Sequence, residues 1–147
     1  IVLITDAAGL DKADVKRGLE VMDHNNGEIW GKLDAGTGKY FKLVNRTNVK
    51  FERILNNLLE TSKVRPIIIQ SLFFKVHGEA MSEAELEAYC GRLINITEGG
   101  GQIREVHLYT VARPTPETYA TKLETIELEQ MADMIRERAQ LAVSVFP

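Results

Sequence analysis

The chain has 147 residues, 44% of them hydrophobic and 27% charged, a balance ordinary for one globular domain with room for a sizeable core. Its net charge of −3 and pI near 5.7 give no overall basic field, and along the sequence lysines and arginines are interleaved with acids, so nucleic acid binding is not expected. No apolar run approaches a membrane span, no charged-then-apolar leader opens the chain, and the single Cys90 excludes an internal disulfide and suits a reducing, cytoplasmic compartment.

In chain order, Ile1 to Thr5 is a continuous apolar run ending in the polar turn Asp6-Ala7-Ala8-Gly9, the pattern of a buried strand. Asp11-Lys12-Ala13-Asp14 opens a helix with Val15, Leu19 and Met22 on one face, which stops in Asp23 to Gly27. Next comes Glu28 to Arg46. Glu28, Trp30, Lys32 and Asp34 alternate with Ile29, Gly31 and Leu33, so one face is polar and the other mostly apolar, and Asp34 to Gly38 is a turn. A charged pair, Lys32 and Asp34, thus sits at a strand end, where α/β proteins bind ligands. A surface ion pair on an edge strand is the plainer alternative.

Phe41 and Leu43-Val44 form a short helical piece, and Asn48 is the expected N-cap of a helix carrying Phe51, Ile54, Leu55 and Leu58. Pro66 precedes a strand over Ile67 to Phe74, apolar enough to be buried on both faces. Ser82 with Glu85 fits a capping box, opening a helix with Leu86, Tyr89, Cys90 and Leu93 on one face, which places Cys90 in the core. After Gly99-Gly100-Gly101 a strand runs from Ile103 to Arg113, with Pro114 and Pro116 as the stop. A last helix from about Thr125 to Gln140 turns Leu128, Met131, Ile135 and Ala139 inward, and Ala142 to Phe146 closes as a short strand.

Strand and helix alternate about four times, which argues for an α/β fold with a parallel sheet and right-handed crossovers. Polar faces at Glu28/Trp30/Lys32/Asp34 and Glu105/His107/Tyr109/Arg113, with Gln70 between them, favour a partial (β/α) TIM-like barrel over an open doubly wound sheet, because a lumen collects polar side chains from successive strands. So few strands cannot close, and an exposed edge is expected. Starting at Ile1 inside a strand, residues 1–147 read as a fragment forming one domain.

The ordered set VLITDAAGL, IWGKLDAGTGKYFKLVNR, IIIQSLFF and VHLYTVARPTPE resembles the central and C-terminal part of a radical S-adenosylmethionine (radical SAM) domain, of the iron-sulfur oxidoreductases related to activating enzymes and tRNA-wybutosine synthases. That family binds a [4Fe-4S] cluster through three cysteines after its first barrel strand and holds S-adenosylmethionine in part through an early Gly-Gly-Glu-like segment; neither motif is in this sequence. The resemblance implies a catalytically incomplete half-barrel whose parent binds S-adenosylmethionine and the cluster, with the N-terminal half-barrel as the missing partner. It matches Thr5 and Asp6 to a Thr-Asn pair, with Asp6 departing from the usual Asn. Lys32 and Asp34 fall at the ribose and carboxylate end of the cofactor, Gln70 on the next strand, and Tyr109, Val111 and Arg113 near the adenine.

Other residues point to simpler roles. His24, His77 and His107 have no ligand spacing, so no metal site is expected; His107 shares a face with Tyr109 and is the candidate to touch substrate. The glycine run lacks the Lys-Ser/Thr of a phosphate loop, Ser71 has no partnered His and acid, and Trp30 suits either a lumen platform or, more simply, core filling. The competing functional class is a stand-alone α/β binding or assembly module that homodimerises through exposed sheet edges.

Overall fold

The computed structural model describes residues 1–147 and runs β1 (Val2–Thr5), α1 (Ala13–His24), β2 (Glu28–Lys32), α2 (Gly38–Asn45), α3 (Phe51–Val64), β3 (Ile67–Leu72), β4 (Lys75–Val76), α4 (Glu83–Glu98), β5 (Ile103–Tyr109), β6 (Ala120–Thr121), α5 (Thr125–Ala139) and β7 (Val143–Phe146). Five of the strands form one parallel sheet in the order β1-β2-β3-β5-β7, and β4 and β6 pair separately as a short antiparallel ribbon. The expected α/β alternation is therefore present. The sheet is open, with β1 and β7 as its two edges, and no barrel closes.

Each crossover steps the same way across the sheet, so right-handed connections put the helices on a single face. That face is the core. Ile29, Ile67, Ile69, Val106, Leu108 and Val143 of the strands meet Leu19, Leu58, Leu93, Leu128 and Ile135 of the helices in one cluster of 27 buried residues. Sealing one such aliphatic side chain contributes about 1.5–3 kcal/mol. Gly31 of β2 is needed for this contact, because a Cβ there would lie 2.5 Å from a Leu58 methyl.

The opposite face has no helix on it. It carries Ile4, Trp30, Lys32, Gln70, Leu72, His107, Tyr109, Ser144 and Phe146, in register across the strands. Ile4 is 55% and Phe146 40% exposed. Parallel sheets are ordinarily covered on both faces.

Local differences from the sequence reading have physical causes. β3 stops at Leu72, and its Gln70 and Leu72 are half-exposed on the bare face, so the strand is not buried on both sides. β5 ends at Tyr109 because Thr110 turns inward, its Oγ1 accepting from the Leu123 N–H at 2.9 Å; Val111 and Arg113 lie beyond the sheet. Asn48 is not a cap. α3 starts after Lys50, where Phe51 stacks on Phe41 at 5.0 Å and fixes the elbow between α2 and α3. Only half of the capping box forms: Ser82 Oγ accepts from the Glu85 N–H at 3.1 Å, but the Glu85 carboxylate goes elsewhere. Trp30 stands half-buried on the bare face, outside the core cluster.

Candidate functional site

The C-terminal ends of β1 and β2 lie side by side, with Thr5 opposite Gly31. Beyond β1 the chain reverses through Ala7, a non-glycine residue at φ 67°, held by Thr5 Oγ1 accepting its N–H at 3.1 Å and by Asn57 Nδ2 donating to its carbonyl at 2.8 Å. Such left-handed residues concentrate where loops are shaped for function. The exposed Asp6 accepts from the Ala8 N–H at 3.0 Å. Asp6 and Lys32, together with Phe41, Asn45 and Thr47, line a cleft of about 260 Å³ at this end of the sheet.

Lys32 and Asp34 pair at 3.6 Å, but the two are placed differently: the Lys32 side chain is 40% exposed, that of Asp34 only 4%. Asp34 Oδ1 accepts from the Leu72 N–H at 2.8 Å, tying the end of β2 to the end of β3. Burial pushes the Asp34 carboxyl above its ordinary range, against the opposing pull of the Lys32 charge and the Leu72 N–H. Asp34 thus anchors and orients the ammonium, and Lys32 is the group that reaches solvent.

Across the bare face one polar row runs Lys32, Gln70, His107, Ser144, and the next row toward the loops runs Leu72, Tyr109, Phe146. Tyr109 and Phe146 stack at 4.6 Å. His107 is wedged edge-on against Trp30 at 4.8 Å and Phe146 at 5.3 Å, with Nε2 at 3.2 Å from Glu105. Its Nδ1 is buried without a partner. Glu105 also accepts from the Ser144 hydroxyl, and this bond, with His107, holds its carboxyl below the usual range despite burial. Carboxylate, imidazole and hydroxyl therefore form a connected network, with a bare imidazole nitrogen at its end.

Of the residues singled out in the sequence, the structure brings Asp6 and Lys32 to one cleft and sets Lys32, Gln70, His107 and Tyr109 on one face. Thr5 is spent on its own turn. Val111 and Arg113 stand apart in the loop after β5, Arg113 exposed. Sequence reasoning missed Glu85: its carboxylate accepts from Gly36 N at 2.6 Å, Thr37 N at 2.9 Å and Thr37 Oγ1 at 2.7 Å. Arg92 Nε donates to the Gly36 carbonyl at 2.8 Å. The turn Asp34 to Gly38 is thereby clamped onto α4. Its amides, which would otherwise suit an anion, are taken by the protein's own carboxylate.

No group of three or more His, Cys, Asp or Glu side chains is arranged to hold a metal, and Cys90 is buried on α4. No helix is long and apolar enough to cross a membrane. No protein-family model and no curated protein matches the sequence. Among solved structures, a radical SAM methyltransferase from Sphaerobacter thermophilus superposes with a TM-score of 0.67 at 14% identity, over 99% of this chain and 40% of that one. The chain thus spans less than half the length of that structure and shares with it a partial β/α fold.

Proposed function

We propose that this chain is the ligand-facing half of a β/α barrel of the radical SAM type, and that its mouth holds the amino acid tail of S-adenosylmethionine. The observation that carries the reading is the sheet wound in one direction, bare on the face where Lys32, Gln70, His107 and Tyr109 line up. A parallel sheet left open on one side calls for further β/α units or a ligand to cover it. Lys32 fits the cofactor carboxylate as a half-exposed cation, and the sealed Asp34 serves as its counter-charge. When bound, S-adenosylmethionine supplies the sulfonium chemistry; these residues orient its tail.

The [4Fe-4S] cluster does not fit the residues present. It needs three thiolates and the chain has one cysteine, behind the sheet, so no step is derived through it. In this reading the cluster, the oxidoreductase activity and the remaining strands belong to an N-terminal half-barrel of the parent.

The test is a calorimetric titration of the intact parent with S-adenosylmethionine. Lys32→Ala is expected to weaken binding about tenfold or more with the circular dichroism unchanged. Equal affinity in the variant overturns the assignment.

A second reading, a homodimer completing its sheet edge to edge, is favoured by the exposed Ile1, Val2 and Ile4 on and beside the unpaired edge of β1, 91%, 45% and 55% exposed. Light scattering on the 147-residue chain should then give a dimer mass. A folded monomer rules it out.

A further inference from the structure

Between Gly38 and Lys50 the sequence carries Lys39, Lys42, Arg46 and Lys50 and no acid, in a chain whose net charge is −3. Charges of both signs are interleaved elsewhere in the chain, but here only positive ones occur, on α2 and the elbow into α3. Lys39, Lys42 and Lys50 line a hollow of about 970 Å³ whose walls include Tyr40 and Ser82. A second hollow, of about 670 Å³, is lined by Arg46, Lys50 and Arg53. Lys50 belongs to both.

None of the three lysines is held in an ion pair, whereas Arg46 is bonded to Glu117 at 2.9 Å and Arg53 to Asp11 at 3.0 Å. Two acids line the larger hollow, and one of them is already spent: Glu85 is committed to the turn amides, which leaves Glu52. The stacked Phe41 and Phe51 beneath the surface make the α2–α3 elbow a rigid platform for these cations. Two hollows that share Lys50 and are lined by unpaired lysines suit a chain of regularly spaced negative charges better than one compact anion, and the Tyr40 ring offers a wall for a base.

We propose that this groove binds the phosphate backbone of a single-stranded nucleic acid. The proposal stands apart from the cofactor assignment, because Lys32 and the bare sheet face take no part in it.

The experiment is fluorescence anisotropy with a labelled uridine oligonucleotide of about 12 residues, and its DNA counterpart, at about 50 mM salt and upward. The groove variant is Lys39→Glu/Lys42→Glu/Lys50→Glu, and the control makes the same charge change at Lys12, Lys16 and Lys122. The groove variant should lose about tenfold or more in affinity while the control stays within about twofold. For the parent, log affinity against log salt should fall with a slope of about −2 to −3.5, the value for three to five phosphates, and Lys42→Gln alone should reduce that slope by about 0.7. An equal loss in the control, no binding at the lowest salt, or displacement of the oligonucleotide by an equal concentration of polyglutamate would each overturn the proposal.

Discussion

Glu85 is the most informative side chain to remove. Glu85 is 8% exposed, and its carboxylate is the sole acceptor for the Gly36 N–H, besides taking the Thr37 N–H and hydroxyl. A hydrogen bond to a charged group is worth about 1.5–3 kcal/mol net, and a buried donor left without a partner costs about 1–3 kcal/mol. Gly36 is sealed, whereas Thr37 borders an open hollow where water can replace the lost acceptor, so the Gly36 amide sets most of the penalty. Glu85→Ala should therefore destabilise the chain by about 3 kcal/mol, and Glu85→Gln, which keeps one oxygen for the two amides, by about 1–2 kcal/mol. In equilibrium urea unfolding with a slope of about 2 kcal/mol/M, the alanine variant's midpoint moves down by about 1.5 M. Glu83→Ala, exposed on the same helix, is the control and should move it by about 0.25 M at most. An alanine midpoint within about 0.5 M of the parent would refute the clamp.

Three further outcomes follow from the same geometry. Gly36→Ala would put a Cβ 2.1 Å from the Tyr89 amide nitrogen of α4, so a loss of about 2 kcal/mol or more is expected in the same urea assay; a neutral result would mean that the turn does not sit against α4. Burial holds the Asp34 carboxyl above the usual 3.8, and a group raised in this way supports the fold fully at low pH and loses that contribution as the pH climbs through its folded value. Asp34→Asn, which keeps an oxygen for the Leu72 N–H, should match or exceed the parent near neutral pH and lose that advantage on acidification toward about pH 4, as read from urea midpoints across pH; a variant clearly weaker at neutral pH would show that the Lys32 pairing outweighs burial. Burial, with the nearby Glu87, pushes the Cys90 thiol up to about 11, so an aromatic disulfide reagent should label it only after denaturation, and rapid labelling of the native chain would contradict its placement.

Order and type of the main elements were legible because they rest on local patterns: apolar runs for β1 and β3, alternation for β2, and helical spacing for Leu86, Tyr89, Cys90 and Leu93. What stayed hidden depends on partners distant in the chain. Glu85 reads as the second half of a capping box, yet it serves Gly36, a residue 49 positions away. Alternation runs on through Val111 and Arg113, but the backbone leaves the sheet because Thr110 is captured by Leu123. Asn48 has the chemistry of a cap and is bypassed because the aromatic contact at Phe51 sets where α3 begins. At the site, Lys32 and Asp34 were recognisable as a pair. Their unequal burial was not, since it depends on how β3 ends against β2. The ribbon of β4 and β6 joins two loops by two residues each, too little for any periodicity to register.

The central claim is that the bare sheet face is the inside of a ligand-binding barrel. The most direct test is to titrate the isotopically labelled 147-residue chain with S-adenosylhomocysteine and follow backbone amide and imidazole shifts by NMR. Shifts should concentrate at Asp6, Lys32, Gln70, His107 and Tyr109, with a dissociation constant no weaker than the millimolar range, about −4 kcal/mol. Shifts confined to the outer surfaces of α1, α3 and α5, or none up to several times that range, would contradict it.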